Sequence, residues 1–192
     1  MLSGWFFTKP SSTRELIPQV GTSGKVFYVR EGNPTDAKVR ADLLDDMTNR
    51  ALALISYLKE HQPNKCYTPL LVARFPLAPL TEADPNSELT AYTTNKTSIS
   101  LCLRKLKGVD TSDLVDNNTL AYVLVHELAH LGINHVGHGT EFWDAFKELA
   151  GFARELKLID YVNYNSNKVK YCTMDITSSI FDTQSNGTSF NN

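Results

Sequence analysis

An unbroken apolar run at residues 120–125 leads directly into His-Glu-Leu-Ala-His at residues 126–130. Residues four apart lie on one face of an α-helix, so the imidazoles of His126 and His130 can bind a single ion. A helix with so apolar a beginning enters the core, where a glutamate between two histidines requires a partner. The run therefore predicts a buried helix that carries a metal site, with Glu127 beside it.

Zn²⁺ is the ion that this pattern fits. Zinc takes imidazole nitrogens at about 2.0–2.1 Å in a tetrahedral shell that leaves room for water. It acidifies that water, and a glutamate placed as Glu127 is can accept the proton. We therefore predict a zinc-dependent hydrolase in which His126 and His130 are ligands and Glu127 is the catalytic base.

A third ligand is needed, and the spacing after His130 separates the candidates. In the metzincin pattern a glycine follows the second histidine by three residues and another histidine follows it by six. This chain has Ile133 and Val136 at those positions, so it is not a metzincin. His135 and His138 are the histidines that remain.

We favour His138 over His135 as the third ligand. Glycines in this stretch let the chain end the first helix and turn back, which places His138 just before a second helix. His135 would then be a solvated or gating residue on the loop. A glutamate from the second helix, Glu141 or Glu148, is the alternative ligand, and Glu141 could instead accept a proton from a ligand histidine.

Composition and charge narrow the class of protein. The chain has 192 residues and a formal charge of −2, which gives no whole-chain attraction to nucleic acid, so a nucleic-acid partner stays open. A small basic cluster of Arg104, Lys105 and Lys107 is predicted to be a solvated strand end. No apolar run reaches the roughly 18–20 residues that cross a bilayer, and the apolar start is too short for an export signal.

Three widely separated cysteines, Cys66, Cys102 and Cys172, predict reduced thiols and an intracellular protein that is not secreted. The odd number and the lack of any C-x-x-C pair favour this interpretation. Cys102 and Cys172 are expected to pack as small apolar side chains.

The remaining patterns predict an α+β domain with a small mixed sheet and its helices packed on one face. A β-branched strand at 25–30 precedes an amphipathic helix that begins at Pro34 and ends near His61. Strands are expected at 69–75, 88–93 and 97–103, the last two joined by a hairpin-type connection at 94–96, with a long loop at 76–88 and a closing strand at 168–174. Asn117 or Asn118 would cap the metal helix, and a second helix would run from about 140 to 156.

The chain divides into three segments on this interpretation. Residues 1–24 are an irregular arm with several Pro and Gly residues, residues 25–176 are the metal-binding domain, and residues 177–192 are a flexible polar tail rich in Ser, Thr, Asn and Gly. Strand 97–103 is the expected sheet edge for an extended peptide.

Several segments of the chain together match a known family pattern. They are His-Glu-Leu-Ala-His at 126–130, Gly-His-Gly-Thr-Glu-Phe-Trp at 137–143, and the segments 92–96, 99–104, 118–120 and 171–176. In these segments the chain resembles the SprT-like and WLM zinc metallopeptidases, and most closely the WLM-type predicted peptidases of large nucleocytoplasmic DNA viruses. The resemblance covers residues 88–176 well and the helix at 34–60 more loosely.

This resemblance implies a zincin-like fold, His126, His130 and His138 as zinc ligands, Glu127 as the base, and a protein or peptide substrate. Cellular relatives cleave proteins crosslinked to DNA, so a DNA–protein crosslink repair protease is a third option. The rival from another class is a virion structural or interaction protein that reuses the fold as a scaffold, with capsid or virion proteins as partners. The implied location is the host cytoplasm or nucleus, or the virion.

Overall fold

The longest helix, α1, begins at the residue that the sequence predicts. The computed structural model describes residues 16–84, 90–105 and 113–182, and α1 spans Pro34–His61. The Asn33 side chain accepts a hydrogen bond from the Thr35 backbone N–H at 2.9 Å, which satisfies one of the free donors of the first turn. The apolar positions at spacings of three and four are buried from Ala41 to Leu58, as the amphipathic pattern requires.

Five strands form one mixed sheet in the order β1-β2-β3-β5-β4. The outer pairs β1–β2 and β4–β5 are antiparallel hairpins, whereas β3 pairs in parallel with both β2 and β5. Within the described residues, a second sheet consists of β6 and β7. The strands are β1 Leu16–Val20, β2 Val26–Arg30, β3 Leu80–Glu82, β4 Ala91–Thr94, β5 Ser98–Leu101, β6 Val169–Tyr171 and β7 Met174–Ile176.

The helices pack on one face of the five-stranded sheet. Helix α1 packs against β1, β2 and β3, while α3 (Asn117–Gly132) packs against β4 and β5 and is flanked by α2 (Tyr67–Arg74) and α4 (Thr140–Glu155). Phe27 and Val29 point into this core, whereas Val26 and Tyr28 alternate onto the opposite, exposed face. The expected α+β fold with helices on one face is confirmed, and so is the 140–156 helix.

The strand expected at 69–75 is wrong, because Tyr67–Arg74 is helix α2, followed by a 3₁₀ turn at Phe75–Leu77. Pro69 lies in the first helical turn, where a backbone N–H has no partner within the helix and its loss costs little. Tyr67 and Leu71 are both buried. Their spacing of four is the helical signal in a segment too short for periodicity to exclude a strand.

Four smaller expectations also need correction. Residues 16–20, assigned to the irregular arm, form β1, and Leu80–Glu82, assigned to a loop, forms β3. The closing strand is a hairpin of β6 and β7, and Asp116 caps α3 in place of Asn117 or Asn118. The hairpin predicted around residues 94–96 is confirmed as β4–β5. Residues 1–15, 85–89, 106–112 and 183–192 lie outside the described part, and with them most of the predicted arm and tail.

Arg104 is buried, not solvated as expected for the basic cluster. Its Nε lies 3.5 Å from Oε1 of Glu82. The same glutamate also pairs with Arg40 at 3.0 Å, through Oε2, and with Arg30 at 3.6 Å, through Oε1. All four side chains are at most 2% exposed. The one carboxylate shared among three guanidinium groups offsets part of their positive charge away from water. The pairing joins residues from β2, α1, β3 and the segment after β5, which a linear charge pattern does not reveal. Lys107 lies outside the described residues.

Two of the three cysteines are bonded to each other, so the expectation of reduced thiols is wrong for them. Cys102 and Cys172 form a disulfide across 70 residues of sequence, with their Cα atoms 6.3 Å apart, a separation that a disulfide spans. Cys66 is an exposed free thiol. Among the described residues, no helix combines the length and apolarity that a bilayer crossing requires.

Candidate metal centre

Helix α3 carries the first two histidines of the site into the interior. Its N-terminus is capped by Asp116, whose side chain accepts a hydrogen bond from the Thr119 N–H at 2.9 Å. Nearly every residue from Thr119 to Gly132 is buried, because the helix has the sheet on one side and α2 and α4 on the others. His126 and His130 are one turn apart on the face toward β4, with ring centroids separated by 4.9 Å.

The turn after α3 returns the chain so that His138 meets both of them. Gly132 ends the helix against α2, where a Cβ would lie only 2.9 Å from Cβ of Tyr67, and Gly137 has a φ of +90° that favours glycine. The Nε2 atom of His138 lies 3.1 Å from Nε2 of His130 and 3.2 Å from Nε2 of His126.

Three converging imidazoles of this kind could hold a metal ion. Their ligand atoms all lie within 4.8 Å of one another. Nitrogens bound to one zinc ion at 2.0–2.1 Å in a tetrahedral shell are about 3.3–3.4 Å apart, close to the two separations observed here. Three nitrogen ligands also leave a fourth position open, as catalytic zinc sites do. The residues present therefore fit the ion that the sequence predicts.

Burial keeps these imidazoles neutral, which is the form that binds metal. Desolvation lowers the pKa of His126 well below its ordinary value, and the neighbouring charges of His130 and His138 lower it further. The same cause lowers the pKa of His130 to about 4 and also lowers the pKa of His138. Without metal, protonation of the cluster is therefore unfavourable at neutral pH.

The ring of Phe142 packs against all three histidines of the cluster. It stacks on His130 at a centroid distance of 4.2 Å and meets His126 and His138 edge-on at 4.8 Å and 4.6 Å. The ring is completely buried. Trp143 stacks on the His138 ring at 5.6 Å. The Phe-Trp pair at the start of α4 therefore packs against the rings of the histidine cluster and restricts their orientation.

The structure does not bring the alternative ligands to the site. His135 is 83% exposed, and its Nε2 lies 3.6 Å from Oε2 of Glu141. Glu141 therefore lies beside this loop histidine. Glu148 bonds instead to Lys65 at 2.7 Å and to Tyr67 at 2.8 Å. Of the candidates after His130, His138 is the one whose ring nitrogen reaches the cluster.

Glu127 is held in the same pocket by a residue that the sequence reasoning missed. The Thr93 hydroxyl on β4 donates to Oε2 of Glu127 at 2.8 Å. Burial raises the pKa of Glu127 to about 7, although the Thr93 hydrogen bond and the charge of Lys96 both act to lower it. A carboxyl group whose pKa lies near 7 is suited to exchange protons at neutral pH. Only the β4–β5 register brings Thr93 here, so no local signal could have identified it.

Lys96 is the second residue that was missed. It lies in the β4–β5 turn, where Asn95 and Lys96 have φ angles of +49° and +60°, as a type I′ hairpin requires. Its ammonium group donates to the backbone carbonyl of His130 and, at 3.3 Å, to that of His135. Lys96 thus joins the end of α3 to the loop that leads to His138.

The edge of the sheet beside the site is β4, and the expectation that residues 97–103 form this edge is wrong. Strand β5 lies between β3 and β4, because Leu80–Glu82 pairs with it in parallel. Within the described residues, β4 is therefore the last strand on that side. A cleft of ≈ 980 Å³ lies between β4 and the histidines, lined by Tyr92 and Val136 among others.

These features of the fold and the histidine cluster together define a class of protein. A mixed sheet covers a buried helix with the H-E-x-x-H sequence, and a third histidine after that helix completes a triad that could bind metal. The fold is zincin-like.

The chain belongs to the WLM family, since the model of the WLM domain matches residues 35–186. It is 26% identical over 177 residues to an uncharacterized protein of Acanthamoeba polyphaga mimivirus. The matched segment covers 90% of this chain and 87% of that protein. It is also 39% identical over 70 residues to an uncharacterized protein of Invertebrate iridescent virus 6, which covers 36% of this chain and 39% of that protein. A third relative, from Invertebrate iridescent virus 3, is 34% identical over 84 residues, which are 41% of this chain and 51% of that protein. No solved structure matches significantly.

Proposed function

We propose that this protein is a zinc-dependent metallopeptidase with His126, His130 and His138 as ligands and Glu127 as general base. The observation that carries the proposal is the Glu127 carboxylate, which lies beside three converging imidazoles and faces an open cleft. A purely structural zinc site is normally closed by four protein ligands. Membership in the WLM family supports the same chemistry.

The role of Glu127 follows from its surroundings. Bound zinc would supply Lewis acidity, which polarises a peptide carbonyl and makes water a stronger acid. Glu127 would accept a proton from the attacking water and deliver it to the amine that leaves. The Thr93 hydroxyl keeps the carboxylate in one orientation, because it donates to Oε2 at 2.8 Å. The Glu127 carboxylate would therefore take part in both proton transfers without a change of side-chain orientation.

The substrate is proposed to be a peptide in extended conformation. Strand β4 presents its outer edge along the cleft, and Tyr92, Thr93 and Asn95 line the same space. An extended peptide can add to such an edge through backbone hydrogen bonds, which do not depend on its side chains. The peptide bond would then cross the cleft opposite the histidine cluster.

A Glu127→Gln variant tests the proposal. Glutamine has the same shape but cannot accept the proton, so zinc content should match wild type while cleavage of a mixed fluorogenic peptide library falls by at least about 100-fold. Wild-type rates in this variant would contradict the assignment of Glu127. A zinc-loaded wild type that cleaves no peptide or protein would contradict the peptidase and favour a scaffold in the virion. Cleavage only of DNA-crosslinked protein would identify the repair protease.

A further inference from the structure

A second, smaller pocket adjoins the histidine cluster and shares Ala91, His126 and Glu127 with the open cleft. It holds ≈ 410 Å³ of space including its mouth, and His126 and Glu127 form one of its sides. The rest is mainly apolar. The side chains that give it this character are Ala91 on β4, Val123 on α3, and Met174 and Ile176 on β7.

The three hydroxyl groups that line this pocket are already bonded within the protein. The Tyr122 hydroxyl accepts from the Ile180 N–H at 2.9 Å, and the Tyr171 hydroxyl accepts from the Cys102 N–H at 3.1 Å. The Thr90 hydroxyl donates to the sulfur of Met174 at 3.0 Å. A side chain that entered would therefore meet mostly carbon and sulfur.

The outer wall of the pocket is the β6–β7 hairpin, which is not hydrogen-bonded to the five-stranded sheet through strand pairing. Its turn residue, Cys172, has a φ of +56° and is joined by the disulfide to Cys102, just beyond β5. Tyr171 is bonded to the same Cys102 through its hydroxyl. The turn of the β6–β7 hairpin is thus bonded covalently to the segment after β5, two residues from Met174.

We infer that this pocket binds an aliphatic side chain of the peptide, next to the bond that is cut, and that the Cys102–Cys172 disulfide holds its wall. The inference rests on the proposed function and adds a substrate class to it. Branched aliphatic side chains fit both the lining and the limited volume. The disulfide acts here as a positioning element for Met174 and Ile176, with no part in the chemistry.

Two hydroxamates that bind zinc test the pocket without any need for turnover. Acetohydroxamate carries only a methyl group, whereas 4-methylpentanohydroxamate adds an isobutyl group, whose burial should tighten binding to the zinc-loaded protein roughly tenfold or more. Val123→Phe, which fills the pocket, should abolish this preference and leave acetohydroxamate affinity unchanged. Val39→Phe, at a position 47% exposed on α1, is the matched control and should keep the preference.

Equal affinity of wild type for the two hydroxamates, measured by calorimetry, would overturn the inference. So would a preference that survives Val123→Phe in a zinc-loaded, folded protein. A failure of the proposed function is seen separately, as a protein that discriminates between the hydroxamates but hydrolyses no peptide.

The role of the disulfide is tested by a Cys102→Ser, Cys172→Ser double variant with Cys66→Ser as control. The preference for the larger hydroxamate should fall several-fold in the double variant, while zinc content and acetohydroxamate affinity stay at wild-type values. Reduction of the folded wild type by a phosphine gives two thiols and the phosphine oxide, with water as the source of oxygen and protons, and should have the same effect. An unchanged preference in both experiments would overturn the role of the disulfide.

Discussion

The individual residues of the site are defined by burial as much as by proximity. His126 and Glu127 are adjacent in sequence, yet desolvation lowers the pKa of the histidine and raises that of the glutamate. Both shifts have one cause, since a low-dielectric surrounding disfavours whichever form is charged. A neutral imidazole and a carboxyl group with a pKa of about 7 are the forms that metal binding and proton transfer need.

The choice between His138 and His135 can be tested by paired substitutions. His138→Ala removes a nitrogen that lies 3.1 Å from the His130 nitrogen, so zinc affinity should fall by more than about 100-fold. His135→Ala removes a solvated ring and should change the affinity by less than about twofold. Competition with a chromophoric chelator measures both. Equal losses in the two variants would contradict the assignment of the third ligand.

The sequence was sufficient to nominate His126, Glu127, His130 and His138, because the first three follow from helical spacing and the fourth from a turn rich in glycine. It did not identify Thr93 or Lys96, although each contacts the site directly. Their side chains arrive from β4 and its turn, about 30 residues earlier, and hairpin register across such a distance has no local signature.

Among the elements, the β4–β5 hairpin contributes most to the site after α3. It supplies the sheet edge along the cleft, the threonine that bonds Glu127 and the lysine that bonds the end of α3. The sequence predicted this hairpin but assigned the edge to the wrong strand. Strand β3 has only three residues and follows two prolines, so its presence depends on parallel pairing with neighbours and not on its own pattern.

Lys96 is expected to act on zinc through the loop that carries His138. Lys96→Met removes the donor to the His130 and His135 carbonyls, and zinc affinity should fall roughly tenfold. Lys96→Arg keeps a donor and should restore part of the loss. The same Lys96→Met change in a His138→Ala background should have no further effect on zinc.

This double-mutant cycle separates positioning from general stability. Thermal unfolding of the four metal-free proteins is the control. If Lys96→Met lowered zinc affinity equally in both backgrounds, its effect would be one of overall stability and the proposed link to His138 would be wrong.

At the level of the whole molecule, burial of the three histidines and Glu127 makes the stability of the metal-free protein depend on pH. The folded pKa values of His126, His130 and His138 are lowered, so the unfolded chain binds more protons as pH falls below about 6.5 and stability declines. Glu127 has the opposite effect on the pH dependence of stability. Its folded pKa is raised from 4.5 to about 7, so the stability that it contributes is present below pH 4.5 and is lost as pH rises through 7.

A Glu127→Gln variant should therefore be the more stable protein once zinc is removed and the pH is high. Relative to wild type, its free energy of unfolding should rise by on the order of 1–3 kcal/mol at pH 8 and by less at pH 5. Urea unfolding in the presence of a chelator at both pH values measures this difference. A gain that is the same at pH 5 and pH 8 would show that burial does not shift the Glu127 carboxyl.

Helical spacing and turn residues were enough to predict α1, α3, α4 and the three histidines that meet, because these depend on contacts within a few residues. Other features depend on residues far apart in sequence, and only the tertiary structure shows them. They are the helical conformation of α2, strand β3 within the sheet, the buried pair of Arg104 with Glu82, and the Cys102–Cys172 disulfide. Strand order, buried ion pairs and disulfides are set by which surfaces meet when the core forms. The H-E-x-x-H sequence thus predicts a metal site, and the tertiary structure places a cleft, a sheet edge and a smaller pocket beside Glu127.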